Sequence, residues 1–183
     1  MRARFHLIGL LTVVIVTVGL PREPRAQAAS FPTESRTNPN QTLAIVLNRS
    51  NPIDNLSFSE LRKIFLGERN HWSNGHRIAI AMLDYGQPER RVVLRMIYRM
   101  DEKGYQDHVL GEMFRGDVFV APKTLVSPTV LKKFVFNAPG AIGYLRSRDV
   151  DESVKVIRID GLRPEDKGYR LQIDEPSLAK EPE

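Results

Sequence analysis

The chain of 183 residues contains no cysteine. This rules out a disulfide framework, a thiol nucleophile and a cysteine zinc site, and it leaves nothing to acylate at an export cleavage point. Histidine is scarce. His71 and His76 stand five apart in a loop with no third ligand type close by, so neither a metal site nor a cofactor is expected. Catalytic signatures are missing too: no G-x-S-x-G elbow, no P-loop and no H-E-x-x-H. The adjacent acidic pairs Asp101-Glu102 and Asp151-Glu152 fall at helix caps or turns without an acid–base partner. The expectation is a protein that is not an enzyme.

One-sided charge is also lacking. The chain has 27 Lys+Arg against 22 Asp+Glu, a net charge of +5. The first 28 residues hold four of those arginines and one glutamate, leaving 23 against 21, net +2. No basic block interleaved with aromatics appears, so no nucleic-acid partner is expected. The surplus is compatible with an anionic ligand without demanding one.

Residues 1–28 read as a cleavable secretory signal: Arg2 and Arg4, an apolar run from Leu7 to Leu20, then Ala26-Gln27-Ala28. The run is shorter than the roughly 20 residues that span a bilayer. The expectation is a periplasmic protein with no stable membrane insertion after cleavage. Residues 29–41, rich in Ser, Thr, Asn and Pro, read as a disordered lead-in, and 174–183 as a flexible tail. The span 42–173 is then one α/β domain.

Within it, Leu43 to Leu47 is a short apolar, β-favouring run stopped by Asn48-Arg49-Ser50-Asn51-Pro52. Ser57 and Glu60 are spaced as a capping box, with Leu56 and Leu61 as its staple. Phe58, Leu61, Ile64 and Phe65 share one helical face, and Gly67 ends that helix. Ile78 to Leu83 reads as a second strand. A helix from Pro88 to about Met100 follows, with Arg90, Arg91, Arg95 and Arg99 largely outward. Asp101 caps a third helix to about Phe114, with Tyr105, Val109 and Met113 spaced for packing and Gly116 as its stop. Val118 to Ala121 reads as a short strand or extended link. Ser127-Pro128 opens a fourth helix, with Val130, Leu131, Phe134 and Val135 apolar. Ala141 to Leu145 and Val154 to Ile159 read as the last strands. Strands alternating with helices argue an α/β sheet flanked by helices, and the last strands, close together in sequence, argue a mixed sheet and not a purely parallel one. Trp72, beside a polar loop, reads as a plug at the domain edge, with stacking on a ligand as the alternative.

Four blocks carry a resemblance. They are Asn48 to Pro52, Leu56 to Trp72 (L-S-x-x-E-L-x-x-I-F-L-G, then Trp), Asn137 to Tyr144 (N-A-P-G-A-I-G-Y), and Gly168 to Leu171, where Arg170 replaces the usual proline. Together they resemble the phosphate-binding, periplasmic-binding-protein-like components (type II) of ABC transporters. The resemblance implies a solute-binding protein holding a small, phosphate-like oxyanion. An ABC transporter permease or another envelope protein would be its partner. It also implies a single lobe, since the chain opens where the family's first lobe gives way to the second. The family's Arg followed by Ser-Gly-Thr after the second strand is replaced here by Leu83-Asp84-Tyr85-Gly86-Gln87-Pro88-Glu89-Arg90.

Anion binding in such folds uses helix N-terminal N–H groups, short polar side chains and an arginine. The candidate ligand-binding residues are Asn48, Ser50 and Asn51 in the first turn, with Gln87, Arg90 and Arg91 after the second strand. The alternative is an interaction module without a ligand, contacting another cell-envelope protein.

Overall fold

The computed structural model describes residues 38–114 and 121–173. The expected signal, most of the lead-in, Gly116, most of the extended link and the tail lie outside them. Asn38 to Gln41 already form a turn tied to the domain. Gln41 N–H donates to the Asn38 carbonyl, and Arg146 donates to the Asn40 carbonyl at 2.9 Å. Residues 38–41 are therefore held against the rest of the domain.

The strands are β1 (Leu43–Leu47), β2 (Asn55–Leu56), β3 (Ala79–Leu83), β4 (Lys123–Leu125), β5 (Ala141–Arg146), β6 (Lys155–Val156) and β7 (Arg158–Ile159). The helices are α1 (Phe58–Phe65), α2 (Pro88–Val93), α3 (Glu102–Phe114) and α4 (Pro128–Asn137). A π-helical turn, Leu94–Tyr98, extends α2, and a 3₁₀ turn, Ser147–Asp149, follows β5.

Five strands form one mixed sheet in the order β4-β3-β5-β1-β6. β3 runs parallel to both β4 and β5, while β1 is antiparallel to β5 and β6. The chain leaves β3 for the edge strand β4, then crosses back through α4 to β5. Every residue of β1 is buried. That is why it reads as a continuous apolar run and not as an alternating one. β2 pairs with β7 in a separate two-stranded parallel ribbon.

The expected caps are present. Ser57 accepts from the Glu60 N–H, and Glu60 accepts from the Ser57 N–H, completing the capping box of α1. Leu56, Leu61, Ile64 and Phe65 enter the core. Ser127 caps α4 through the Val130 N–H, with Pro128 next. α4 lies close over β5 because position 143 has no side chain. A Cβ there would come within 2.8 Å of Leu131 and 3.3 Å of Val135. Trp72 is a plug: it is buried, and its indole N–H donates to the Gly140 carbonyl at 2.9 Å.

Two expectations are corrected, and one strand was not expected. The run Val154 to Ile159 is two strands, because Ile157 turns inward to the core and donates its N–H to the Ile45 carbonyl. The unexpected strand is the edge strand Lys123–Leu125. On α3, Tyr105 is buried but Met113 is 62% exposed, so the packing face fades along the helix.

Candidate functional site

The register places the six candidate residues in two groups, one at each end of the sheet. Leu47, the end of β1, lies opposite Ile142 near the start of β5, and Ala141 pairs with Ala79 at the start of β3. Asn48 therefore stands where β3 and β5 begin, whereas Gln87, Arg90 and Arg91 follow the end of β3. One strand length of about 15 Å separates the groups. A single small oxyanion cannot touch both, and the expected composite site does not form.

The Asn48 group is structural. Asn48 is buried, and its amide donates to the carbonyls of Val135 (2.9 Å) and Phe136 (2.6 Å). Those belong to the last turn of α4, whose carbonyls have no partner within the helix. The Asn48 side-chain oxygen accepts from the Ser50 N–H (2.9 Å) and hydroxyl (2.7 Å). Asn51 is buried, and its oxygen accepts from the Ile53 N–H. Asn48 closes a turn with Ser50 and caps α4, while Ser50 itself stays exposed.

The other end is where parallel strands stop and helices start, the usual place for ligands in open α/β sheets. β3 and β4 end side by side, Leu83 opposite Leu125. The loop Asp84 to Gln87 turns through Gly86, whose φ of 84° suits glycine. Gln87 precedes α2 without using its side chain as a cap. Arg91 is exposed.

Arg90 is not outward, contrary to the sequence reading. It is 5% exposed, with Nε and Nη2 on the Glu102 carboxylate (3.0 and 2.7 Å) and Nη1 on the Leu83 carbonyl (2.8 Å). Its guanidinium also lies over the Tyr105 ring, 4.9 Å from the centroid. Burial works against its charge, but the hydrogen bond and charge of Glu102 outweigh it and raise its pKa. Glu89 is buried as well and pairs with Arg146 of β5. The Leu83 N–H donates to the Tyr144 hydroxyl at 2.9 Å, and burial pushes that phenol up. Arg90 thus binds the end of β3 to the start of α3, with Nε, Nη1 and Nη2 each engaged by a protein oxygen.

Two concavities flank the Arg90–Glu102 pair. A groove of about 1040 Å³ is lined by Tyr85, Arg91, Arg95, Arg99 and Met100 among others. A smaller cleft of about 380 Å³ includes Tyr85, Tyr105, Leu110, Met113 and Thr124. Tyr85, Arg90 and Glu102 line both. The sequence reading missed the grouping of Arg91, Arg95 and Arg99 on one groove, although their spacing of four was available as a signal.

No family model matches the chain. The phosphate-binding protein PstS of Bacillus subtilis (strain 168) is 29% identical over 126 residues, 68% of this chain and 38% of that protein. Over those residues the chain is similar to a phosphate-binding protein. Two solved structures share its fold. One is an ABC-type phosphate transport receptor from Vibrio cholerae (TM-score 0.56, 23% identity, 70% of this chain and 50% of that one). The other is a phosphate ABC transporter substrate-binding protein from Clostridium perfringens, solved with bound phosphate (TM-score 0.56, 18% identity, 70% and 49%). This chain therefore spans 38% of the curated receptor's length and about half of each solved one. The relatives carry the names of binding and transport proteins. Among the described residues, no helix is long and apolar enough to cross a membrane.

Proposed function

We propose that this chain is a non-enzymatic solute-binding lobe that takes a small oxyanion such as phosphate in the periplasm. The ligand would sit at the end of β3, with Gln87 and Arg91 as its side-chain contacts. The observation that carries this reading is the exposed Arg91 guanidinium beside the Asp84 to Gln87 loop, where parallel strands end. The names of the relatives support it, and the transport context they imply makes an ABC permease or another envelope protein the partner. Arg90 acts on the site only through the loop it anchors. Thermal shift with phosphate, sulfate and small carboxylates tests the reading. A ligand that binds only the folded state raises its melting temperature. Phosphate is expected to raise it and Arg91→Ala to abolish the rise; no shift with any of these anions overturns the proposal.

A second reading, an interaction module, draws on one feature of the same end. Tyr85 is 74% exposed and Val126 69% exposed, next to the cleft that Leu110 and Met113 help to line. Exposed apolar groups gathered at one place mark contact surfaces.

A further inference from the structure

The cleft of about 380 Å³ takes no part in the oxyanion reading, since neither Gln87 nor Arg91 lines it. Among the described residues eight large apolar side chains are exposed, and five of them gather here. Tyr85, Leu110 and Met113 line the cleft. Phe114 follows Met113 at the end of α3, and Val126 follows the last residue of β4. Single exposed apolar residues are ordinary, whereas a group at one place marks a contact surface. The fold explains the grouping. β3 and β4 end side by side, and the Arg90–Glu102 pair ties α3 to that end, so the residues after both strands meet the flank of α3. The charge on the cleft is one-sided. Arg90 lines it, but its guanidinium is engaged by Glu102 and the Leu83 carbonyl. Asp84 lines it as well and is exposed. Its carboxylate accepts from the Tyr85 N–H at 2.7 Å, and no Lys, Arg or His among the described residues forms an ion pair with it. Two carboxylates, Asp84 and Glu102, against one guanidinium leave the lining with a net charge of −1.

We propose, resting on the second reading above, that this cleft docks an apolar segment of a partner protein that carries one lysine or arginine. Complementary charge selects among partners more than it adds affinity, and here the charge left over is that of Asp84. Lys and Arg suit such a place because their apolar stems cover apolar surface while the charged head stays at the rim. Leu110 and Met113 receive the stem, Asp84 meets the head, and the Tyr85 ring offers a face to the cation. Gln106 and Thr124, both exposed and both lining the cleft, supply further oxygens for its N–H donors. Asp84 and Glu102 oppose an acidic segment. A small organic amine would fill the cleft but leave Phe114 and Val126, which lie outside its lining, bare. A protein segment covers them too.

The test uses the full mature chain and three short fluorescein-labelled peptides, each with leucines around one central residue, which is Lys, Gln or Glu. One partly exposed ion pair amounts to about a threefold preference for the Lys peptide over the Gln peptide at low salt, shrinking as salt rises. The Glu peptide should bind weakest. Asp84→Asn keeps an oxygen for the Tyr85 N–H and should erase the Lys preference. Leu110→Ser/Met113→Gln, on two exposed side chains, should weaken all three peptides severalfold. That double variant should keep the phosphate-induced thermal shift, which depends on Gln87 and Arg91, so failure here and failure of the oxyanion reading are separable. If it does not fold, Asp84→Asn alone decides. Equal binding of the three peptides, or a Lys preference that survives Asp84→Asn, overturns the proposal while the interaction module stands. No binding of any peptide to a chain that sediments as a monomer overturns both. A dimer that Leu110→Ser/Met113→Gln turns into a monomer puts a second copy in the cleft and overturns the proposal, as does hexylamine that displaces the Lys peptide at equal concentration.

Discussion

Arg90 and Asn48 show what a single residue's surroundings decide. Both are polar and stand next to turns, and in sequence both suit a ligand. The Asn48 partner comes from far along the chain, Val135 lying 87 residues away, and nothing local reveals it. The Arg90 partners are nearer, Glu102 12 residues and the Leu83 carbonyl 7 residues away, but they meet it only once α2 folds back between β3 and α3. The structure implies different outcomes for substitution. Arg90→Ala leaves Glu102 and the Leu83 carbonyl without their donor. The Glu102 side chain is 24% exposed, which softens the loss relative to a fully buried pair, so about 2–4 kcal/mol is expected. In a domain of this size that lowers the melting temperature by roughly 6–15 °C. Arg91→Ala, on an exposed side chain, should leave the unliganded melting temperature within about 2 °C. Asn48→Ala uncovers two carbonyls at the end of α4 and should cost about 1–3 kcal/mol. Differential scanning calorimetry of the three variants checks the ranking. Arg90→Ala as mild as Arg91→Ala would contradict the buried pair.

Elements were legible where a local rule defines them. β1, β3 and β5 are apolar runs, and α1 and α4 carry Ser caps whose geometry needs only three consecutive spacings. β4 was not legible, because Lys123-Thr124-Leu125 has one buried residue and exists as a strand only through its pairing with β3. The break at Ile157 depends on two different partners, β1 and β2, for the two halves of one run. The caps also set an acid response. Hydrogen bonds from the Ser57 backbone and side chain hold the Glu60 carboxyl below its ordinary 4.5. The hydrogen bond from Lys132 and those from Ser153 hold Asp151 below 3.8. A depressed folded-state pKa gives stability that is present above the unfolded value and is lost as pH falls through the folded one. The melting temperature should therefore be flat above about pH 5 on account of these groups and decline through pH 4 and below. Glu60→Gln keeps a side chain able to complete the capping box but cannot titrate. Melting curves from pH 7 to 3 should show a shallower acid limb for that variant; an unchanged limb would mean the cap does not contribute.

For the whole molecule, sheet order and strand direction separate what the sequence brings near from what folding brings near. The helix-flanked sheet was legible from the alternation of strands and helices, and its mixed pairing from the short spacing of the last strands, but the direction of β1 was not. Had β1 run parallel to β3, Asn48 would stand at the same end of the sheet as Asp84, with only β5 between them. Because it runs antiparallel, the oxyanion reading rests on Gln87, Arg91 and nearby N–H groups alone. Asp84 stands exposed at the end of β3, and Pro88 supplies no N–H at the start of α2. Each charged hydrogen bond adds about 1.5–3 kcal/mol at best, and one or two of them must offset the cost of immobilising the ligand. Phosphate affinity of the isolated chain should then be weak, on the order of millimolar. It should fall further with added salt, because Arg91 is exposed and screened. Tight binding would require donors from a second surface closing over the end of β3. Calorimetric titration of a verified monomer decides the matter. Millimolar binding lost in Arg91→Ala fits this geometry, while nanomolar binding indifferent to Arg91→Ala would place the ligand elsewhere.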